Sequence, residues 1–154
     1  MSGVVFRNAE RRDVPAVVRL LADDALGAAR EKATDPLPDS YYRAFDAMAA
    51  QTGNALIVGE QDGQVVACLQ LSIVPGLSRQ GQARATIEAV RVARTLRSQG
   101  IGERLVRFGI ERARAGGAGI VQLTTDKSRK DAHRFYARLG FKASHEGMKL
   151  DLSR

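Results

Sequence analysis

The stretch Arg97-Ser98-Gln99-Gly100-Ile101-Gly102 carries the most specific chemistry in the chain. It follows the β-branched run 85–92 and leads straight into a helical pattern, so it reads as strand, glycine-rich turn and helix. Glycines at such a turn let the main chain approach a ligand closely, and the first N–H groups of the helix have no partner inside it. With the positive end of the helix dipole behind them, those groups form a site for a diphosphate. Two other phosphate signatures fail on the residues. The P-loop needs Lys followed by Ser or Thr after its second glycine, where this chain has Glu103-Arg104; the dinucleotide fingerprint needs a third glycine and a later acidic residue within an early strand-helix-strand unit. What remains is R-x-x-G-x-G.

The elements that position this turn follow from periodicity and turn chemistry. Residues 3–9 read as a first strand, and Asp13 is placed to cap a helix carrying Val14, Val17, Val18 and Leu21 at helical spacing. A polar connection, partly helical, runs from Asp24 to Asp39; a second helix starts at Asp39 or Ser40, with Gly53 closing it. Asp62-Gly63, between the β-rich runs 55–61 and 64–74, is a strong hairpin signal, because such a turn needs positive φ at its central residues. A fourth strand, 83–93, returns along the third. The helix after Gly102 shows Leu105, Val106, Gly109, Ile110 and Ala113 on one face and stops at Gly116-Gly117. Residues 120–125 give a fifth strand, set beside the fourth in parallel by a right-handed crossover. Ser128, with Asp131 three residues on, reads as a capping box for a helix through Leu139, and 141–144 and 148–152 read as two short terminal strands. The fold class is α+β: a mixed, mostly antiparallel sheet between helices, three layers in one domain over residues 1–154.

At this point R-x-x-G-x-G resembles motif A of the GCN5-related N-acetyltransferase (GNAT) family, where (Q/R)-x-x-G-x-(G/A) holds the pyrophosphate of coenzyme A. Residues 131–141, DAHRFYARLGF, look like the same family's motif B, A-x-x-(F/L)-Y-x-x-x-G-F, at the expected separation. The resemblance implies acetyl-CoA as co-substrate and direct transfer of its acetyl group to a primary amine. An alkyl ammonium, with a pKa of about 10.4, has no lone pair at neutral pH, so a group must take its proton. Glu88 is the only carboxylate of the fourth strand, set between Ile87 and Ala89 where a core-facing strand would take an apolar residue; a carboxylate in partial burial holds a proton more readily, which makes Glu88 the candidate general base. The other reading of Glu88 is a surface partner for Arg84 or Arg91. Tyr136 carries over as the general acid for the departing thiolate, against a second reading as core packing beside Phe135. Arg97 and the backbones of Ser98, Gln99, Gly100, Ile101 and Gly102 are the expected diphosphate ligands, and Val90 and Val92 are expected to meet the pantetheine arm in a splay between strands four and five. The chain departs from the family at Arg129, where Asn is frequent; a guanidinium there could reach a phosphate.

Composition bounds the alternatives. The chain has 154 residues, 44% hydrophobic and 27% charged, with a net charge of +7. No apolar run approaches membrane-spanning length and the first residues lack a signal-peptide pattern, so a cytoplasmic protein is expected, without membrane partners. Cys68, the single cysteine, lies in the apolar run 65–69 and reads as a small buried hydrophobe. Two histidines, His133 and His145, make no convincing metal site, and no metal is expected. Nine arginines between Arg79 and Arg114 face only Glu88, Glu103 and Glu111, a field that attracts polyanions. Interleaved aromatics and recognition motifs for nucleic acid are missing, so a phosphorylated cofactor is preferred to nucleic acid. The expected partners are a small-molecule amine and a second copy of the chain in a homodimer. Asp24, Glu31 and Asp35 are candidates to receive a cationic amine. The competing functions are acetylation of a protein lysine or N-terminus, and a non-catalytic acyl-CoA-binding regulator.

Overall fold

A computed structural model of the protein describes residues 3–153. Five strands, β1 (Val5–Asn8), β2 (Asn54–Gln61), β3 (Gln64–Val74), β4 (Ala83–Val92) and β5 (Ala118–Gln122), form one sheet in sequence order. β1 to β4 pair antiparallel, and β5 joins β4 in parallel after the crossover helix. The helices are α1 (Val14–Ala22), α2 (Ala25–Arg30), α3 (Asp39–Ala50), α4 (Ser78–Gly81), α5 (Ile101–Ala115) and α6 (Lys130–Arg138). α4 is a single turn in which Arg79 and Gln80 are left-handed.

The sheet is covered on both faces. Successive residues of β3 point to opposite sides, so Leu69 enters the core beneath α5 with Ile87, Leu105 and Val106, while Cys68 enters the one beneath α1 with Val17, Leu20 and Val58. That is why the run 65–69 is apolar throughout instead of alternating. Gly109 lets α5 settle closely: a Cβ there would stand 3.2 Å from Leu69 Cδ2. α3 closes a third cluster, with Tyr41, Tyr42 and Phe45 against Val14, Val18 and Leu37. Asp62 (φ 52°) and Gly63 (φ 77°) form the hairpin turn that the sequence requires.

Four expectations need correction. Asp13 does not cap α1; its carboxylate accepts from the Glu10 N–H at 2.7 Å and from the Arg7 guanidinium at 2.7 Å, because a charged donor from β1 reaches it. β5 begins at Ala118, directly after the Gly116-Gly117 stop, and ends at Gln122, where β4 turns away from it. Ser128 does not cap α6; its N–H and hydroxyl both donate to Asp126, at 2.9 and 2.6 Å, and the helix starts at Lys130. Residues 141–144 and 148–152 form no strand. Gly147 passes close to Thr124 beyond the end of β5, and Asp151 accepts locally from the N–H and hydroxyl of Ser153, a turn that competes with ladder pairing. Met148, Leu150 and Leu152 are left 95%, 85% and 85% exposed.

Candidate active site

The site is organised by a bulge in β4. Its pairing with β3 runs Val92 to Ala67 and Arg91 to Cys68, then resumes at Glu88 opposite Gln70, so Ala89 and Val90 together oppose only Leu69. Ala89 sits at φ 55°, a left-handed conformation rare for a residue with a side chain. The extra residue changes which face the following side chains occupy. Glu88 and Arg91, three apart, would point to opposite faces of a regular strand. Here their partners Gln70 and Cys68 are two apart, so both belong to the face covered by α1.

The same bulge opens the sheet. β5 pairs with β4 only from Ala83 to Thr86, and β4 continues to Val92 with no neighbour on that side among the described residues. This is the expected splay, and the main-chain groups of Val90 and Val92 lie along it. The Val90 carbonyl accepts from Arg91 Nη1 at 2.9 Å and the Val92 carbonyl from Arg97 Nε at 3.2 Å.

β4 delivers the chain through the short turn Arg94–Leu96 to Ser98 (φ 64°) and Gly100 (φ 81°), and α5 begins at Ile101. No side chain caps this helix, and no acceptor among the described residues meets the N–H groups of Ile101, Gly102 and Glu103. A Cβ on Gly100 would meet nothing within 4 Å, so glycine there serves the backbone conformation. A Cβ on Gly102 would make only ordinary contacts, 3.6 Å from Phe135 and Val92; the packing of the protein itself would accept alanine, and the bare main chain leaves room for a ligand on the outer side. These features fit a diphosphate. Arg97 is at the mouth of the loop, its guanidinium turned toward the Val92 carbonyl and, at 3.9 Å, Asp23. Asp23 also receives Arg94 at 3.1 Å.

α6 brings Phe135 against Gly102 and packs Tyr136 beside it on the core beneath α5. The Tyr136 ring is edge-on to Phe135 and Phe141, with centroids 5.0 and 5.7 Å away. Burial raises its phenol above the ordinary value near 10, against the opposing charges of Arg91 and Arg129, so the hydroxyl keeps its proton at neutral pH. The ring of Tyr136 thus packs in the core beside Phe135, the second of its two readings.

Glu88 is exposed instead of partly buried, and it forms no ion pair with Arg84 or Arg91 among the described residues. Arg129 forms an ion pair with Asp24, and Arg91 Nε lies 3.7 Å from the same carboxylate. Asp24 is also the N-cap of α2, accepting the Gly27 N–H at 2.5 Å. Burial works to raise the Asp24 carboxyl, but that hydrogen bond and the two guanidinium groups outweigh it and hold it below its ordinary value. The Glu31 carboxylate accepts from the Tyr41 hydroxyl at 2.9 Å. Two of the three acids expected to receive a cationic amine are thus already engaged. Arg91 as a partner of Asp24 was missed from sequence; a strand arginine three residues after Glu88 becomes informative only once the bulge puts both on one face. Cys68 is buried with its thiol donating to the Ala89 carbonyl at 3.5 Å, and burial pushes its pKa up to about 12. It is no nucleophile.

A mixed five-stranded sheet with helices on both faces, its fourth strand leading to an uncapped helix start, is the arrangement that the resemblance to the GNAT family implies. The profile of the Acetyltransferase (GNAT) family matches residues 18–141, and the chain belongs to that family. A crystal structure described as a transcriptional regulator from Bacillus halodurans C-125 superposes with a TM-score of 0.95 at 49% identity, covering 97% of this chain and 100% of that one. Aminoalkylphosphonate N-acetyltransferase of Salmonella typhimurium is 44% identical over 59 residues, 38% of each chain. Glucosamine 6-phosphate N-acetyltransferase of Trypanosoma brucei brucei is 38% identical over 90 residues, 58% of this chain and 59% of that one. The matched stretches thus span less than two thirds of either curated relative.

Proposed function

We propose that this protein transfers the acetyl group of acetyl-CoA directly to the primary amine of a small molecule. The observation that carries the reading is the bulged, unpaired edge of β4, which leads to the uncapped α5 and leaves Glu88 on the face of the sheet opposite that helix. Bound acetyl-CoA supplies an acetyl group activated as a thioester. The N–H groups of Ser98, Gln99, Gly100, Ile101 and Gly102, with Arg97, hold its diphosphate, and the main chain of Val90 and Val92 pairs with the amides of its arm. Arg129 stands where the arm meets the acceptor. The Val90 N–H is the donor for the thioester carbonyl oxygen. Glu88 takes a proton from the ammonium, directly or through water; the freed nitrogen forms its bond to the acetyl carbon as the carbon–sulfur bond breaks; Tyr136 gives its phenolic proton to the leaving thiolate.

The named relatives act on small amines, which supports a small-molecule acceptor over a protein lysine or N-terminus. Among the described residues no helix is long and apolar enough to cross a membrane, in keeping with a cytoplasmic enzyme. The exposed apolar side chains Met148, Leu150 and Leu152 support assembly as a homodimer. One observation favours a second reading, an acyl-CoA-binding regulator without turnover: the Bacillus halodurans protein is described as a transcriptional regulator. Thiol release from acetyl-CoA over a panel of amines separates the two. Turnover with any small amine supports the enzyme; tight binding of acetyl-CoA without turnover supports the regulator.

A further inference from the structure

Met148, Leu150 and Leu152 recur at every second position with Lys149 and Asp151 between them, the pattern of an extended strand with one apolar face. No other exposed apolar residues among the described ones recur in this way. Within the protomer nothing receives that face. Every residue from Lys142 to Ser153 is exposed, and the main-chain groups of Met148, Lys149, Leu150 and Leu152 have no hydrogen-bond partner among the described residues. A segment of this kind is an edge that a further strand would complete.

The charges indicate which strand. When two copies of 148–152 run antiparallel about a two-fold axis at Leu150, Met148 faces the partner's Leu152, Leu150 faces the partner's Leu150, and Lys149 faces the partner's Asp151. The axis repeats the opposite-charge pair, so it occurs twice. Sliding one copy by two residues sets Lys149 against the partner's Lys149, or Asp151 against the partner's Asp151. Sliding by one puts apolar side chains opposite charged ones and mixes the faces, and a parallel in-register pair opposes like charges at both positions. Only the first arrangement satisfies the apolar row and the charges together. Inside one protomer the Lys149 charge reaches Asp126, and Asp151 accepts from the N–H and hydroxyl of Ser153.

We propose that 148–152 is the seam of a homodimer, two copies of the segment pairing antiparallel about Leu150. This rests on the homodimer reading above, to which it adds the interface and its register, and it is independent of acetyl transfer. A five-residue strip covers less than the roughly 800 Å² per partner of a standard interface, so the dimer dissociates on dilution.

The test uses the full chain. Sedimentation over a dilution series is expected to show a monomer–dimer equilibrium. Because each charge pair occurs twice, Lys149→Asp and Asp151→Lys are each expected to weaken the dimer about tenfold or more, and the two together to restore Kd to within about threefold of its starting value. A loss that arose through Asp126 or Ser153 inside one protomer would not be mended by that exchange. Cysteine pairing reads the register separately, since the native Cys68 is buried. Leu150→Cys meets its own copy with Cα atoms about 4.5 to 5.5 Å apart, within disulfide range, whereas Met148→Cys and Leu152→Cys each lie four residues, roughly 13 Å, from their own copies. With oxidised glutathione, linked dimer is expected from Leu150→Cys and from a mixture of Met148→Cys with Leu152→Cys, and little from either of those two alone. A dimer indifferent to both charge substitutions, a double variant no tighter than the single ones, or equal linking at all three positions would overturn this seam while leaving a homodimer formed elsewhere, the outer edge of β5 included. A monomer at every concentration would overturn both.

Discussion

Replacing Gly100 with Asp and, separately, with Asn isolates the electrostatics of the proposed diphosphate site. Gly100 sits at φ 81° just before α5, and a Cβ there meets no atom within 4 Å, so neither variant clashes. Asn and Asp both enter the left-handed region more readily than other side chains, and their shapes are nearly equal. The pair therefore differs by one negative charge beside the uncapped N–H groups of Ile101, Gly102 and Glu103. At about 6 Å, with an effective dielectric near 40, each charge pair costs roughly 1.4 kcal/mol. Two ionised phosphates then cost roughly 3 kcal/mol, about a hundredfold in Kd. Calorimetry with acetyl-CoA at low salt should show Asp weakening binding about a hundredfold and Asn by less than about fivefold. Raising ionic strength from about 0.1 to about 1 M shortens the screening length from about 10 to about 3 Å and should narrow the gap. Equal affinities for the two variants, or no loss in either, would mean that the diphosphate does not lie on this loop.

Glu88→Gln and Tyr136→Phe should each lower kcat/KM for the amine by about a hundredfold or more, and the double variant by less than the product of the two, since both act on one transfer; steady-state thiol release measures this. Asp13→Asn should destabilise the fold by about 2 to 4 kcal/mol in urea titration, short of the full cost of orphaning a buried charge because Arg7 keeps Glu60. The hydrogen bond from Arg7 holds the Asp13 carboxyl below its ordinary value, so this contribution is complete above about pH 4 and is lost as the pH falls further; in the Asn variant that acid-dependent part of the stability curve should vanish. Cys68, buried and with its pKa near 12, should resist a thiol reagent in the native state at neutral pH and react only at the rate of unfolding.

Much of the frame is legible in the residues because local chemistry dictates it. Asp62-Gly63 can hardly be anything but a tight hairpin, and Gly116-Gly117 stops α5 where the helical pattern ends. The R-x-x-G-x-G turn likewise marks where β4 gives way to a helix start with open amides. What escapes is decided at longer range. Asp13 looks like a helix cap until Arg7, on the neighbouring strand, claims it. Residues 148–152 alternate like a strand, yet alternation fixes only which side chains share a face, and their pairing partner is a tertiary matter. The β4 bulge is invisible for the same reason. Nothing in Glu88-Ala89-Val90-Arg91 announces that Ala89 turns left-handed, and without that turn Arg91 would belong to the opposite face from Glu88.

The central claim, that the splay of β4 supports acetyl transfer to an amine, is tested most directly by mass spectrometry of an amine panel incubated with acetyl-CoA and the intact protein, with free thiol measured in parallel. The expected result is one acetylated amine product formed in step with the thiol and strongly reduced in Glu88→Gln. Acetyl-CoA bound tightly while every amine stays unmodified, or product formed equally well by Glu88→Gln, would contradict it.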